Sequence, residues 1–321
     1  MNEIDFKFNE LISFIEKTDY DALLEHILRQ YISLPPNLQI SLKRYLDKYP
    51  FWGRIDFAHN QIDFFERKAK DTHLHCKELK WLYENLEDYS SKLLLFSILN
   101  NWINFDIQTL KRTSENRFKH YFNLDLIPEA KDEVFVDVGS YYGETTLDFI
   151  NSYSTTYKRI YCYEITPQII EISKNNLKEY ENIIFKEMAV KNKNGYTFIQ
   201  ENQISSSANQ TINLNAKSAN FQEISTLTKV KCTTLDRDIE EKITMIKMDI
   251  EGDEIEALKG AKNHIKNDTP KLLISVYHDN NHLWQIPKYI HKLNKNYKFY
   301  LRNYNGNYYP TEIVLFALPK C

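Results

Sequence analysis

The sequence predicts an α/β protein: a doubly wound, mostly parallel, seven-stranded sheet preceded by an all-helical N-terminal domain. Three observations carry that expectation. Over residues 1 to about 125, apolar side chains recur at three- and four-residue steps with no strand-like alternation. From Val134 the rhythm changes to short runs rich in Val, Ile and Phe separated by helical stretches, the pattern of strands covered by crossover helices. Between the two lies a polar linker, Pro128 to Glu133, which divides the chain into a helical domain over 1–127 and a sheet domain over 128–321.

In chain order, Ile4, Phe8, Leu11, Ile12 and Ile15 open the helical part, and Leu79, Leu82, Leu86 and Tyr89 continue the same spacing. Pro35-Pro36 and the segment Pro50 to Gly53 break it into at least three pieces, and the last long helix is expected from about Ser90 to Ile103. Besides packing on the sheet domain, these helices offer a surface for forming a homo-oligomer or recruiting a partner. Strands are then expected at 134–138, 160–164, 183–188, 244–249, 271–277, 298–303 and 312–318. The last two are joined by the turn-rich Asn303 to Asn307, so one edge strand should run antiparallel. Thr166-Pro167 is a helix start directly after Glu164. Asn192 to Gly195 followed by Tyr196 to Ile199 reads as a hairpin insertion. The polar, poorly periodic stretch from Gln200 to Thr228 reads as a mobile lid or acceptor loop, or as plain disorder.

Composition narrows the function classes. The content is 42% hydrophobic and 14% aromatic, enough to build real cores. The net charge of −3, with lysines interleaved among acids, supplies no basic field for nucleic acid. The N-terminus carries acids where a signal peptide has a basic region, and no apolar run approaches the roughly 18–20 residues that span a bilayer. Cysteines at 76, 162, 232 and 321 have neither disulfide-framework nor zinc spacing, which points to the cytoplasm. His73-Leu-His75-Cys76 lacks a second ligand cluster and reads as a surface or packing feature.

Two runs carry chemistry. Val134-Phe-Val-Asp-Val-Gly-Ser-Tyr-Tyr-Gly-Glu-Thr-Thr146 reads as strand, glycine loop and helix start, and Tyr161-Cys-Tyr-Glu-Ile165 as a second buried strand ending in Glu164. In an open parallel sheet ligands sit beyond the carboxyl ends of the strands, where glycine lets the backbone approach them. A carboxylate at such an end can accept both hydroxyl protons of a ribose. A dinucleotide site more typically shows Gly-x-Gly-x-x-Gly against a pyrophosphate. This loop has Gly139 and Gly143 alone, so an oxidoreductase using NAD or a nucleotide sugar is the disfavoured alternative. A further buried strand, Thr244 to Asp249, delivers Asp249 and Glu251 to the same edge, where two acids are hard to explain as packing.

Together with Phe185-Lys-Glu-Met-Ala189, Thr234-Leu-Asp236, Leu258-Lys-Gly-Ala261 and Pro270-Lys-Leu-Leu-Ile-Ser-Val-Tyr-His278, these motifs resemble the FkbM family of S-adenosylmethionine-dependent methyltransferases, in order from Val134 to Leu318. Leu283-Trp-Gln-Ile-Pro287, Tyr300-Leu-Arg302 and Glu312 to Ala317 are similar to one bacterial branch of it. Weaker likeness runs from Trp81 to Trp102 and none over residues 1–70. The resemblance implies a Rossmann-like class I methyltransferase fold, S-adenosylmethionine as cofactor, and O-methylation of a small-molecule or glycan acceptor: a sugar, a glycan precursor of polysaccharide biosynthesis or a secondary metabolite. Asp137, Gly139, Ser140 and Gly143 are assigned to the amino-acid and sulfonium end, Glu164 to the ribose, and Met188 with Ala189 to the adenine plane, Met188 being equally explicable as core. For proton removal His278 leads, with substrate hydrogen bonding or a structural role as its other readings. Asp249 competes, either as proton acceptor or, with Glu251 or Asp253, as ligand to a divalent cation. Two departures from the family pattern bear on the acceptor pocket: Asn303 stands where a histidine is expected, and Ser140 with Tyr141-Tyr142 where a smaller residue is common. A non-catalytic partner protein retaining the fold is the remaining rival.

Overall fold

The runs rich in β-branched and aromatic residues become strands: β1 (Glu133–Val138), β2 (Tyr157–Glu164), β3 (Ile183–Glu187), β4 (Ala189–Val190), β5 (Gly195–Gln200), β6 (Gln210–Ile212), β7 (Leu227–Thr233), β8 (Met245–Met248), β9 (Lys271–Ser275), β10 (Tyr297–Asn303) and β11 (Ile313–Pro319). The computed structural model describes residues 2–49, 52–154, 156–200, 210–212, 227–305 and 309–320. Seven of the strands form one sheet in the order β10-β11-β9-β8-β1-β2-β3. β1 pairs in parallel with β2 and with β8, β2 with β3, and β8 with β9. The strand order reverses direction at β1, so the crevice where open α/β sheets receive ligands falls between the carboxyl ends of β1 and β8. β11 lies inside β10, so the penultimate strand in sequence, not the last, forms the edge. Part of the turn expected at 303–307 lies outside the described residues.

The chain forms two compact units. One comprises 1–116, 276–288 and 298–316; the other comprises 117–275, 289–297 and 317–321. The expected division at 127/128 falls between the last helix of the helical half and β1, but segments of the C-terminal part belong to the first unit.

The first unit is built on helices α1 (Glu3–Lys17), α2 (Tyr20–Ile32), α3 (Pro36–Lys48), α4 (Asp63–Leu74), α5 (Cys76–Asn85), α6 (Tyr89–Asn104) and α7 (Ile107–Lys111). Asn2 and Asp5 cap the start of α1 reciprocally, each side chain accepting the other's backbone N–H. The apolar stripe of α1 is buried as the spacing predicts, with Phe8 stacked on Tyr83 at 3.8 Å. Asp88 accepts from Ser91 N–H at the head of α6 and pairs with Arg302 at 2.6 Å.

In the second unit, α8 (Glu144–Asp148) and a π-helical turn (Phe149–Tyr153) follow β1, and α9 (Pro167–Asn176) follows β2 behind its Thr166-Pro167 start. α10 (Leu235–Asp238) follows β7. Phe122, Phe135 and Phe149 are buried against one another, each worth roughly 1.5–3 kcal/mol of transfer free energy. After β8 come two short helices, α11 (Glu254–Lys259) and α12 (Lys262–Asn267). Between them Gly260 makes a close approach that only glycine allows, since a Cβ would stand 1.9 Å from the carbonyl oxygen of Lys191. The expected hairpin insertion is β5, which runs antiparallel to β7 from Gly195↔Cys232 to Gln200↔Leu227 in a second sheet of order β4-β7-β5-β6. Ala189, Ile199, Val230 and Cys232 form its small core, against which Ile165 packs. Most of the expected lid or acceptor loop, Gln200 to Thr228, lies outside the described residues.

Candidate active site

The β1 loop is held by a buried ion pair. Asp137 is fully buried; its Oδ2 accepts from the Thr146 hydroxyl at 2.8 Å and its Oδ1 lies 3.0 Å from Lys247 Nζ. The same ammonium donates to the carbonyl oxygen of Gly139 at 2.7 Å, so one lysine on β8 ties both the last turn of β1 and the loop beyond it. Both Asp137 oxygens thus have partners inside the protein, and these contacts hold the loop. Gly139 and Ser140 donate their N–H groups to the carbonyl of Tyr163, which joins the loop to the end of β2. Gly139 sits at φ +77, and a Cβ there would fall 2.0 Å from the Asp249 carbonyl oxygen, so backbone meets backbone between the loops after β1 and β8.

Glu164 ends β2 and is nearly buried at 8% exposure. Its Oε1 accepts from the N–H groups of Ile165 and Thr166 at 2.8 and 2.9 Å. Burial raises its pKa above the usual carboxylate value, opposed by hydrogen bonds from Thr166, Ile165 and the Tyr141 N–H. Its register partner on β3 is Glu187, so half-buried Met188 and buried Ala189 follow directly at the neighbouring strand end. Ser140 Oγ is buried and makes no hydrogen bond among the described residues. An orphaned hydroxyl, a strand-end carboxylate and a glycine-lined approach suit a polar nucleoside such as the S-adenosyl group.

Asp249 follows β8 and is half-buried; its Oδ2 accepts from the Tyr121 hydroxyl at 2.7 Å. The turn after it is closed by Glu254, fully buried, whose Oε1 accepts from Ile250 N–H at 3.0 Å and faces Gly252 N–H at 3.5 Å. Asp253 pairs with Lys191 Nζ at 2.6 Å. Glu251 stands in the turn at φ +56. Among the described residues neither Glu251 nor Asp253 joins a group of three side chains close enough to share an ion. His278 belongs to the other unit, where it is buried with its ring against Tyr277 at 4.1 Å, and the Tyr277 carbonyl accepts from Trp52 Nε1 at 3.0 Å.

Three non-glycine residues near these strand ends, Tyr121, Tyr141 and Glu251, have positive φ. Such conformations cost on the order of 1–3 kcal/mol each and persist only where the surroundings impose them. Lys247, Tyr121 and Glu254 escaped the sequence reading. A lysine inside an apolar strand run was the available signal for Lys247. Tyr121 lies in the patternless stretch before β1 and gave none.

A family model described as Methyltransferase FkbM domain matches residues 137–305, just over half of the chain. The fold resembles the methyltransferase FkbM from Methylobacillus flagellatus KT, at 22% identity and a TM-score of 0.64, over 78% of this chain and 62% of that one. This chain therefore spans less than two thirds of that protein's length. An rRNA methylase from Streptococcus thermophilus shares 13% identity over 61% of this chain and 92% of that one, with a TM-score of 0.39. No protein with a curated description matches. Among the described residues, no helix is long and apolar enough to cross a membrane.

Proposed function

The chain belongs to the FkbM methyltransferase family, and from that premise we propose that it is an S-adenosylmethionine-dependent O-methyltransferase acting on a hydroxyl of a sugar, a glycan precursor or a secondary metabolite. The observation that carries the cofactor reading is Glu164, a nearly buried carboxylate at the end of β2 beside the Gly139 turn. When bound, S-adenosylmethionine supplies a methyl group already activated on a sulfonium, so the protein has to align an acceptor, exclude water and take up one proton. Glu164 receives the ribose hydroxyls, the Gly139 to Gly143 turn with Ser140 Oγ receives the amino-acid end, and Met188 with Ala189 flanks the adenine. Asp249, at the switch point, is placed to accept the proton that the acceptor hydroxyl loses as its oxygen gains the methyl group. His278 is kept as a second candidate base on its place in the chain shortly after β9. The acceptor class, a cytoplasmic location and self-association through the helices rest on family likeness and composition.

Calorimetry with S-adenosylhomocysteine tests the cofactor site. Glu164→Gln keeps an acceptor for the loop N–H groups but turns one ribose-facing oxygen into a donor, and is expected to weaken binding by about 1–3 kcal/mol. Wild-type affinity should be full well above the raised Glu164 pKa and decline on acidification while still above the ordinary carboxylate range, because protonation removes an acceptor. Tighter binding of NAD than of S-adenosylhomocysteine would decide for the oxidoreductase.

His278→Ala separates the two bases. If His278 takes the proton, turnover drops by about 10²–10⁴-fold with S-adenosylhomocysteine affinity near wild type. Turnover that stays within a few-fold of wild type leaves the proton to Asp249.

A further inference from the structure

Building on the reading of Asp249 as the group that takes the acceptor's proton, we propose that Tyr121 is a positioning residue for that carboxylate. The Tyr121 hydroxyl donates to Asp249 Oδ2 at 2.7 Å and lies 2.9 Å from Ser275 Oγ, so the phenol stands between the carboxyl ends of β8 and β9. The backbone that presents it is costly. Tyr121 is the third residue of a turn closed by the Phe122 N–H on the Lys119 carbonyl at 2.9 Å, and its φ is +69, a value for which glycine or asparagine is the ordinary choice. A bulky ring there is an outlier that survives only when its neighbours over-determine it.

They do so on both sides. Phe122 is fully buried among Phe135, Phe149 and Tyr153, which pins the turn to the back of β1. The Tyr121 ring itself is stacked on His120, with centroids 4.0 Å apart and planes 6° from parallel, and Lys247 Nζ lies 5.4 Å from its centre. Packing accounts for the ring but not for the hydroxyl, since phenylalanine would fill the same volume. The hydroxyl's partners are the carboxylate proposed to act on the acceptor and a serine at the adjacent strand end. With Oδ2 held by a donor on a rigid turn, the plane of the carboxylate is set. Burial keeps the neighbouring His120 imidazole neutral, its pKa pushed down to about 4, so the stack brings no second cation beside Lys247.

The test uses the full-length protein, a labelled methyl donor and a panel of free hexoses and nucleoside-diphosphate hexoses as acceptors. Tyr121→Phe keeps the ring and its stacking and is expected to lower kcat by about 10–100-fold, the effect of misaligning a reacting group. The KM for S-adenosylmethionine, the affinity for S-adenosylhomocysteine and the unfolding midpoint should stay near wild type. Unchanged kcat overturns the positioning role and leaves the methyltransferase reading standing. Failure to bind S-adenosylhomocysteine overturns the proposed function, and failure to methylate any of these acceptors overturns its sugar arm; in either case the clamp is judged by infrared difference spectra of protein labelled with ¹³C at its aspartate carboxyls. Tyr121→Phe should then shift one carboxylate band, and the shift should vanish in an Asp249→Asn background. No shift in the wild-type background overturns the clamp.

Discussion

Lys247→Met is expected to destabilise the protein by about 3–5 kcal/mol, the usual result of removing one partner from a buried ion pair. Lys247 and Asp137 are 2% and 0% exposed, so the methionine would leave a carboxylate with no route to water. It would also remove the donor to the Gly139 carbonyl. At roughly 2–4 °C per kcal/mol for a chain of this order, the thermal midpoint should fall by about 6–20 °C. Adding Asp137→Asn to Lys247→Met should recover part of the loss, because the double variant has no uncompensated charge. Calorimetric unfolding of the two single variants and the double variant checks this. Additive losses would mean that the pair does not act as a unit.

Gly139→Ala should have a comparable effect for a different reason. The positive φ alone costs a non-glycine residue about 1–2 kcal/mol. In addition the new methyl would stand 2.0 Å from the Asp249 carbonyl oxygen, and no flexible side-chain end is available there to yield. Forced repacking adds roughly 1–3 kcal/mol. The loops after β1 and β8 have to part, so binding of S-adenosylhomocysteine should be lost along with stability. Gly252→Ala is the control: it has a φ of +108 but open space around the missing Cβ, and should cost only the backbone share. Equal losses at Gly139 and Gly252 would show that the contact across the switch point carries no weight.

The seven strands of the main sheet were legible in the sequence because each is a short, largely apolar run set between polar or helical stretches, and such runs depend on little beyond themselves. Glu164 and the Gly139 turn were legible for a related reason, since strand end, turn and acid follow one another in the chain. What could not be read was set by distant contacts. The need for glycine at 260 comes from the Lys191 backbone, and the hydrogen bond to Asp249 comes from a tyrosine 128 positions earlier. The cation ligands considered beside Asp249, Glu251 or Asp253, followed their closeness in sequence, whereas in the fold Asp253 pairs with Lys191. Strand order was partly hidden too, because a hairpin signal says that β10 and β11 are neighbours but not which of them lies outside.

The two units interleave along the chain: 276–288 and 298–316 return to the first, and 289–297 and 317–321 to the second. A growing polypeptide therefore holds neither unit whole until residues beyond 300 have emerged from the ribosome. The helical half must wait, incomplete and with apolar faces open, while nearly all of the sheet is synthesised. That makes this protein a poor candidate for division into separately expressed halves, and a chain whose nascent form should lean on chaperones until synthesis is almost finished.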